Sequence, residues 1–77
     1  MNKNDFLKNF ADQFDETEPE EIMMETEFKE LEEWSSLIGL SLLNIIAKKY
    51  GVRLTFNDLI SVSTVQELYD MVLSKVI

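Results

Sequence analysis

The chain contains neither cysteine nor histidine, and that bears hardest on what its 77 residues can become. A domain of this length lies near the lower limit at which apolar burial alone offsets conformational entropy, and here no disulfide and no zinc site of the usual ligands can assist. Helices, which close their own hydrogen bonds locally and pack on one core, are the most economical solution. The composition allows it: 45% of the residues are hydrophobic and 29% charged, a globular rather than a disordered balance. The same two absences exclude a Ser-His-Asp triad, a cysteine nucleophile, an Fe–S cluster and a histidine-ligated metal. No apolar run approaches the roughly 18 residues that span a bilayer, and Met1-Asn2-Lys3-Asn4-Asp5 has no hydrophobic run behind it. A single domain over residues 1–77, cytoplasmic and not inserted in a membrane, is the expectation.

The charge is unevenly placed. Residues 1–33 hold 12 acids and 3 bases, a net of −9, whereas residues 34–77 hold 3 acids and 4 bases, a net of +1. The total of −8 repels phosphate backbones and anionic lipid, so nucleic-acid and membrane-surface binding are disfavoured and basic protein partners are favoured. Like-charge repulsion also points to a monomer.

Phe6, Leu7, Phe10 and Phe14 fall at i, i+1, i+4 and i+8, which predicts an amphipathic helix of about three turns, capped by Asn2 or Asn4. From Asp15 to Glu33 the periodicity dissolves into an acidic stretch with the only proline, Pro19. Ile22, Met23, Met24, Phe28 and Leu31 interrupt it, so we read a long ordered loop pinned to the core by apolar anchors. A second helix is predicted from Ser35 or Ser36 to Tyr50, stopping at Gly51, with Lys48 and Lys49 suited to its C-terminal dipole. Val52 to Phe56 reads as an extended connector that inserts Leu54, followed by one helical turn over residues 57–60. Thr64 and Glu67 form a capping box ahead of a last helix over residues 64–75. The sum is an all-α protein, a small bundle of three to four helices with a long first loop.

On the second helix Leu40, Leu43, Ala47 and Tyr50 are spaced as a core stripe, widened by Leu42 and Ile46. Ser41, Asn44 and Lys48 step along the other side, and continuing that line backwards reaches Leu37, with Ile38 beside it. Two large apolar residues are therefore expected to be exposed at the first turn, next to Trp34 and Ser36, as a docking patch or as a surface covered by the acidic loop. Trp34 itself reads either as a plug pinning the loop to the helix or as a partner contact. A serine at a helix start is ordinarily an N-cap, but two are available: Ser35 can cap while Ser36 keeps an exposed hydroxyl. The positive end of a helix suits a phosphodiester at that hydroxyl. No histidine can activate it, so any modification has to be installed by another enzyme.

The order of helix, long acidic loop, Ser36-Leu37 at the start of a second helix, then Tyr50-Gly51-Val52-Arg53-Leu54 and Ser63-Thr64-Val65-Gln66-Glu67-Leu68 before a final helix resembles the acyl carrier proteins. The resemblance covers essentially the whole chain. Members carry a 4′-phosphopantetheine arm on the serine of an Asp-Ser-Leu motif. Here the motif reads Trp34-Ser35-Ser36-Leu37, which implies Ser36 as the attachment site, with Ser35 in the aspartate's place. It implies further a non-catalytic carrier that holds acyl groups as thioesters and meets a phosphopantetheinyl transferase and acyl-transferring or condensing enzymes in fatty-acid, polyketide or related biosynthesis. With no thiol in the chain, no side chain competes for the cargo. An acyl chain folding back between the helices would be lined by Leu40, Leu43, Ile46 and Leu54, with Leu59, Val62, Leu68 and Met71, all of which also read as plain core.

The chain departs from the family's pattern on the second helix, where typical fatty-acid carriers bear several acids. The corresponding outer positions here include Ile38, Ser41, Ala47, Lys48 and Lys49. The acids near the motif are Glu30, Glu32 and Glu33, so a partner is expected to grip the loop electrostatically and Trp34, Ser35, Leu37, Ile38 and Ser41 by apolar and polar contact. A peptidyl or aminoacyl carrier is the near alternative, the acidity leaning toward acyl cargo. A small helical interaction module, in which Ser36 is only a cap, is the alternative of another class. The acidic loop lacks the spacing of a calcium loop, so no metal site is expected.

Overall fold

The computed structural model describes residues 2–76. It holds four α-helices: α1, Lys3–Ala11; α2, Ser36–Tyr50; α3, Phe56–Ser61; and α4, Val65–Val76. The long first connection carries two single turns of 3-10 helix, Pro19–Glu21 and Phe28–Glu30. This is the expected all-α bundle of acyl-carrier type.

Each helix begins where the sequence supplies a cap. Asn2 Oδ1 accepts from the amides of Asn4 and Asp5 at 2.8 and 3.2 Å, which starts α1. It stops at Ala11, earlier than the apolar spacing predicts, but Gln13 and Phe14 donate back to Phe10 and Ala11, and this tightened tail still buries Phe14. α2 is closed by Gly51 at φ +69°, a left-handed position that disfavours any side chain. α3 is longer than the single turn expected, because Thr55 and Asp58 cap it reciprocally, at 3.1 and 2.9 Å. At the start of α4, Thr64 Oγ1 accepts from the Glu67 amide at 3.1 Å while Glu67 accepts from the amides of Ser63 and Thr64, so the box read from the sequence is present.

One continuous core joins all four helices to the loop. Phe6 of α1 meets Tyr69 of α4 and Tyr50 of α2, at ring centroid distances of 5.4 and 5.7 Å. Phe28, fully buried, carries the loop into this core by edge contacts with Phe10 and Trp34 at 5.3 and 5.4 Å. Ile22 is buried as well, and Met24 and Leu31 half-buried, but Met23 faces solvent and does not anchor. The loop is also hydrogen-bonded down. Its Thr26 and Met24 carbonyls accept from the Val65 and Gln66 amides at 3.2 and 2.7 Å, so unpaired donors at the start of α4 find their acceptors there. Lys29 Nζ donates to the Ile60 carbonyl at the end of α3.

α2 corrects the expected core stripe. Gly39, Leu42 and Ile46 are its buried residues, Leu43, Ala47 and Tyr50 are only half-buried, and Leu40 is 56% exposed. Leu42 and Ile46 point inward as expected, but Gly39 joins them in place of Leu40, so the inward face is turned from the predicted one by about 50°, half of a single residue's step. The physical reason is Gly39. A Cβ there would lie 2.9 Å from Phe56 Cε1 and 3.2 Å from Leu59 Cδ2 and Trp34 Cη2, so the missing side chain is what lets α3 and the indole close on α2. Gly39→Val is expected to cost about 1–3 kcal/mol by overpacking, read as a lowered midpoint of urea denaturation. An unchanged midpoint would show that the three neighbours yield freely.

Candidate functional site

Four consecutive residues before and at the start of α2 have distinct tasks. Glu33 is hydrogen-bonded across the loop: its carboxylate accepts from the amides of Asp15 at 2.7 Å, Glu16 at 3.0 Å and Thr17 at 2.8 Å, and from Thr17 Oγ1 at 2.8 Å. Trp34 is half-buried, with its ring against Phe28 and the Gly39 backbone. Ser35, in extended conformation, caps α2 by accepting from the Ile38 amide at 3.3 Å. Ser36 is then the first residue of the helix, exposed, and among the described residues its hydroxyl has no hydrogen-bond partner. The amides of Ser36 and Leu37 are likewise unpaired, and the first turn of α2 holds no acid.

These features fit a phosphodiester. A free hydroxyl sits at a helix start whose unpaired amides and positive dipole end favour negative charge, with no carboxylate in that turn to oppose it. The surroundings are apolar: Leu37 is 76% exposed, and Leu40, one turn on, lies on the same face. Ser41, Asn44 and Lys48 continue the exposed side as expected, whereas Ile38 turns half inward and packs on the core. Of the three acids ahead of the motif, Glu30 and Glu32 are exposed, but Glu33 has both oxygens engaged by its own chain.

The residues expected to line an acyl pocket separate in the same way. Ile46, Leu54, Leu59, Val62 and Leu68 are buried and pack as core, Leu43 and Met71 border it, and Leu40 lies outside. A cavity between α1 and α2, bounded by Phe6, Phe10, Leu42, Ile46 and Tyr50 among others, holds about 10 Å³, room for one water. Among the described residues no three carboxylates converge to hold a metal ion, and no helix is long and apolar enough to cross a membrane.

The electrostatics of Glu33 follow from its bonds. Desolvation raises its pKa, but the hydrogen bonds from the Thr17 side chain and from the amides of Asp15, Thr17 and Glu16 outweigh this and hold it below the ordinary 4.5. Glu67 is lowered by the Ser63 and Thr64 amides, and Asp58 by the Thr55 amide. A depressed carboxyl contributes stability that is present in full above its unfolded value and disappears as pH falls through its folded value. The stability lost in Glu33→Gln is therefore expected to be full at neutral pH, to shrink as pH falls below 4.5, and to vanish only below the lowered native value, where the parent carboxyl is itself protonated. Paired thermal melts check this; a gap that stays constant down to about pH 3 would contradict it.

Two residues of the site escape the sequence reading. Gly39 has a weak local signal, a glycine inside an apolar helical run. The role of Glu33 has none, because its partners lie 16 to 18 positions away.

A family model described as phosphopantetheine attachment site matches residues 5–72. No curated protein and no solved structure matches the chain. The match takes in α2 and α3 entirely and most of α1 and α4, with the free serine hydroxyl at the head of α2 inside it. The chain belongs to the family of phosphopantetheine-binding carriers, whose domain is the attachment site of a covalent 4′-phosphopantetheine.

Proposed function

We propose that Ser36 is the attachment residue and that the protein carries acyl groups between enzymes of fatty-acid, polyketide or related specialised biosynthesis. The observation that carries this is the pairing of roles at the head of α2: Ser35 caps the helix, and Ser36 is left with an exposed, unpartnered hydroxyl. When attached, the group supplies a terminal thiol that holds acyl cargo as a thioester. The chain's own part is to present Ser36 Oγ, to offer the Ser36 and Leu37 amides to a phosphate, and to keep acids out of that turn. Among the described residues no base is bonded to Ser36 Oγ, so a phosphopantetheinyl transferase must take its proton. Catalysis on the cargo belongs to the partners, and the carrier raises its effective concentration at their sites in the cytoplasm.

Docking follows from the exposed surface around Ser36. Leu37, Leu40 and Ser41 offer apolar and small polar contact, with Glu30 and Glu32 as the outward charges of the loop. Trp34 and Ile38 are half-buried and contribute their open edges. The acidity of the chain favours acyl over peptidyl cargo. The test is incubation with a broad-specificity phosphopantetheinyl transferase, coenzyme A and magnesium, read as intact mass. One added phosphopantetheinyl group supports the reading; no gain with several transferases contradicts it and favours an interaction module built on Leu37 and Leu40.

A further inference from the structure

The polar tie at Glu33 stands three residues before Ser36, and it is unlike the other side-chain bonds of the fold. Most of those close a cap within four residues, whereas Glu33 gathers three consecutive backbone amides and one hydroxyl from the start of the loop, all between 2.7 and 3.1 Å. Successive amides converging on one carboxylate form an anion-binding concavity, filled here by the chain's own side chain. Among the described residues no basic side chain lines the space around it; Glu16, Glu21 and Glu32 do, with Thr17 and Leu31. The Thr17 hydroxyl and the three amides are therefore what stabilises the Glu33 charge against its desolvation.

The next residue fixes the same segment from the apolar side. The Trp34 ring is held edge-on to Phe28 at 5.4 Å, with Cη2 against the open Cα of Gly39. Trp34 N–H donates to the Leu31 carbonyl at 3.0 Å. Ser35 Oγ is occupied as the cap. Three consecutive side chains are thus spent on holding the backbone that leads to Ser36. Of the three, only the Glu33 tie reaches across the loop to its far end, at residues 15–17.

We propose that Glu33 is a positioning residue for modification at Ser36: by binding the amides of Asp15, Glu16 and Thr17 it fixes the backbone from which Ser36 Oγ is presented to the modifying enzyme. The inference rests on Ser36 being the attachment residue. Removing the tie leaves the apolar docking surface of Leu37 and Leu40 in place, so a transferase still binds the carrier. What changes is how closely the hydroxyl meets the reacting phosphorus, and small misplacements at that distance are costly. The signature is therefore a fall in the transferase's kcat with its KM for the carrier nearly unchanged. A merely structural role gives the opposite split, because partial unfolding lowers the concentration of competent carrier and raises the apparent KM alone.

The experiment measures initial rates of loading by a broad-specificity phosphopantetheinyl transferase with saturating coenzyme A and magnesium, over a range of carrier concentrations. Parent, Glu33→Gln and Thr17→Val are compared, each with a thermal melt in the same buffer. Glu33→Gln is expected to lower kcat about tenfold with KM within about twofold, and Thr17→Val, which removes one donor of the four, to lower kcat about threefold. Unchanged kcat in a folded Glu33→Gln, or a rise confined to KM, overturns the inference while leaving Ser36 as the site. If Glu33→Gln does not fold, unchanged kcat in Thr17→Val overturns it equally. A parent chain that accepts no group at Ser36 overturns the attachment assignment, and this inference with it.

Discussion

Phe28→Ala will remove a large share of the stability of this fold. The side chain is fully buried, and its ring is the contact through which the long loop enters the core, edge-on to Phe10 of α1 and to Trp34 ahead of α2. Truncating a buried phenylalanine costs about 3–5 kcal/mol, the lost transfer energy together with the cavity left behind. Stability of about 0.05–0.15 kcal/mol per residue gives a chain of this length about 4–12 kcal/mol in all. One substitution therefore approaches the lower part of that range. It also frees Trp34, and with it the stretch that leads to Ser36. Urea denaturation followed by circular dichroism is the measurement, with Leu37→Ala as the contrast: Leu37 is 76% exposed, and its loss is expected to stay within about 0.5 kcal/mol. A Phe28→Ala midpoint close to that of the parent would mean that the loop is not anchored through this ring.

The second large effect concerns function and separates two adjacent serines. Ser36→Ala is expected to abolish loading entirely while leaving the fold intact, since its hydroxyl has no partner among the described residues and Ser35 still caps. Ser35→Ala is expected to do the reverse. It removes the acceptor for the Ile38 amide and costs about 1 kcal/mol, yet Ser36 remains and accepts the group. Intact mass after transferase treatment, with thermal melts alongside, reads both variants. Loading that survives in Ser36→Ala, or that is lost in a folded Ser35→Ala, would exchange the roles assigned here.

What could be read from the residues and what could not divides along the range of the forces involved. The ends of α2 are local matters: Ser35 caps within three residues and Gly51 supplies the left-handed stop, so both were legible. The same holds for Thr64 and Glu67 at the start of α4. The rotation of α2 was not legible, because the helix carries apolar residues on nearly all sides and the spacing of its leucines supports more than one inward face. The choice is made by α3 and Trp34 closing on Gly39, a contact between segments distant in sequence, and it leaves Leu40 outside. Glu33 shows the same limit. Read as one of three acids available to a partner, it is instead committed to Asp15, Glu16 and Thr17, and no local pattern announces that. Met23 and Met24 are neighbours of identical chemistry, and only the path of the loop sends the first into solvent and the second toward the core.

Locating the added mass within the loaded parent chain tests the assignment of Ser36 most directly. The chain is treated with transferase, coenzyme A and magnesium, digested, and the modified peptide sequenced by tandem mass spectrometry. One phosphopantetheinyl group is expected, on the peptide carrying Trp34-Ser35-Ser36-Leu37, with the fragment series placing it on Ser36. A group on Ser35 or Ser41, or a chain that gains no mass, would contradict it.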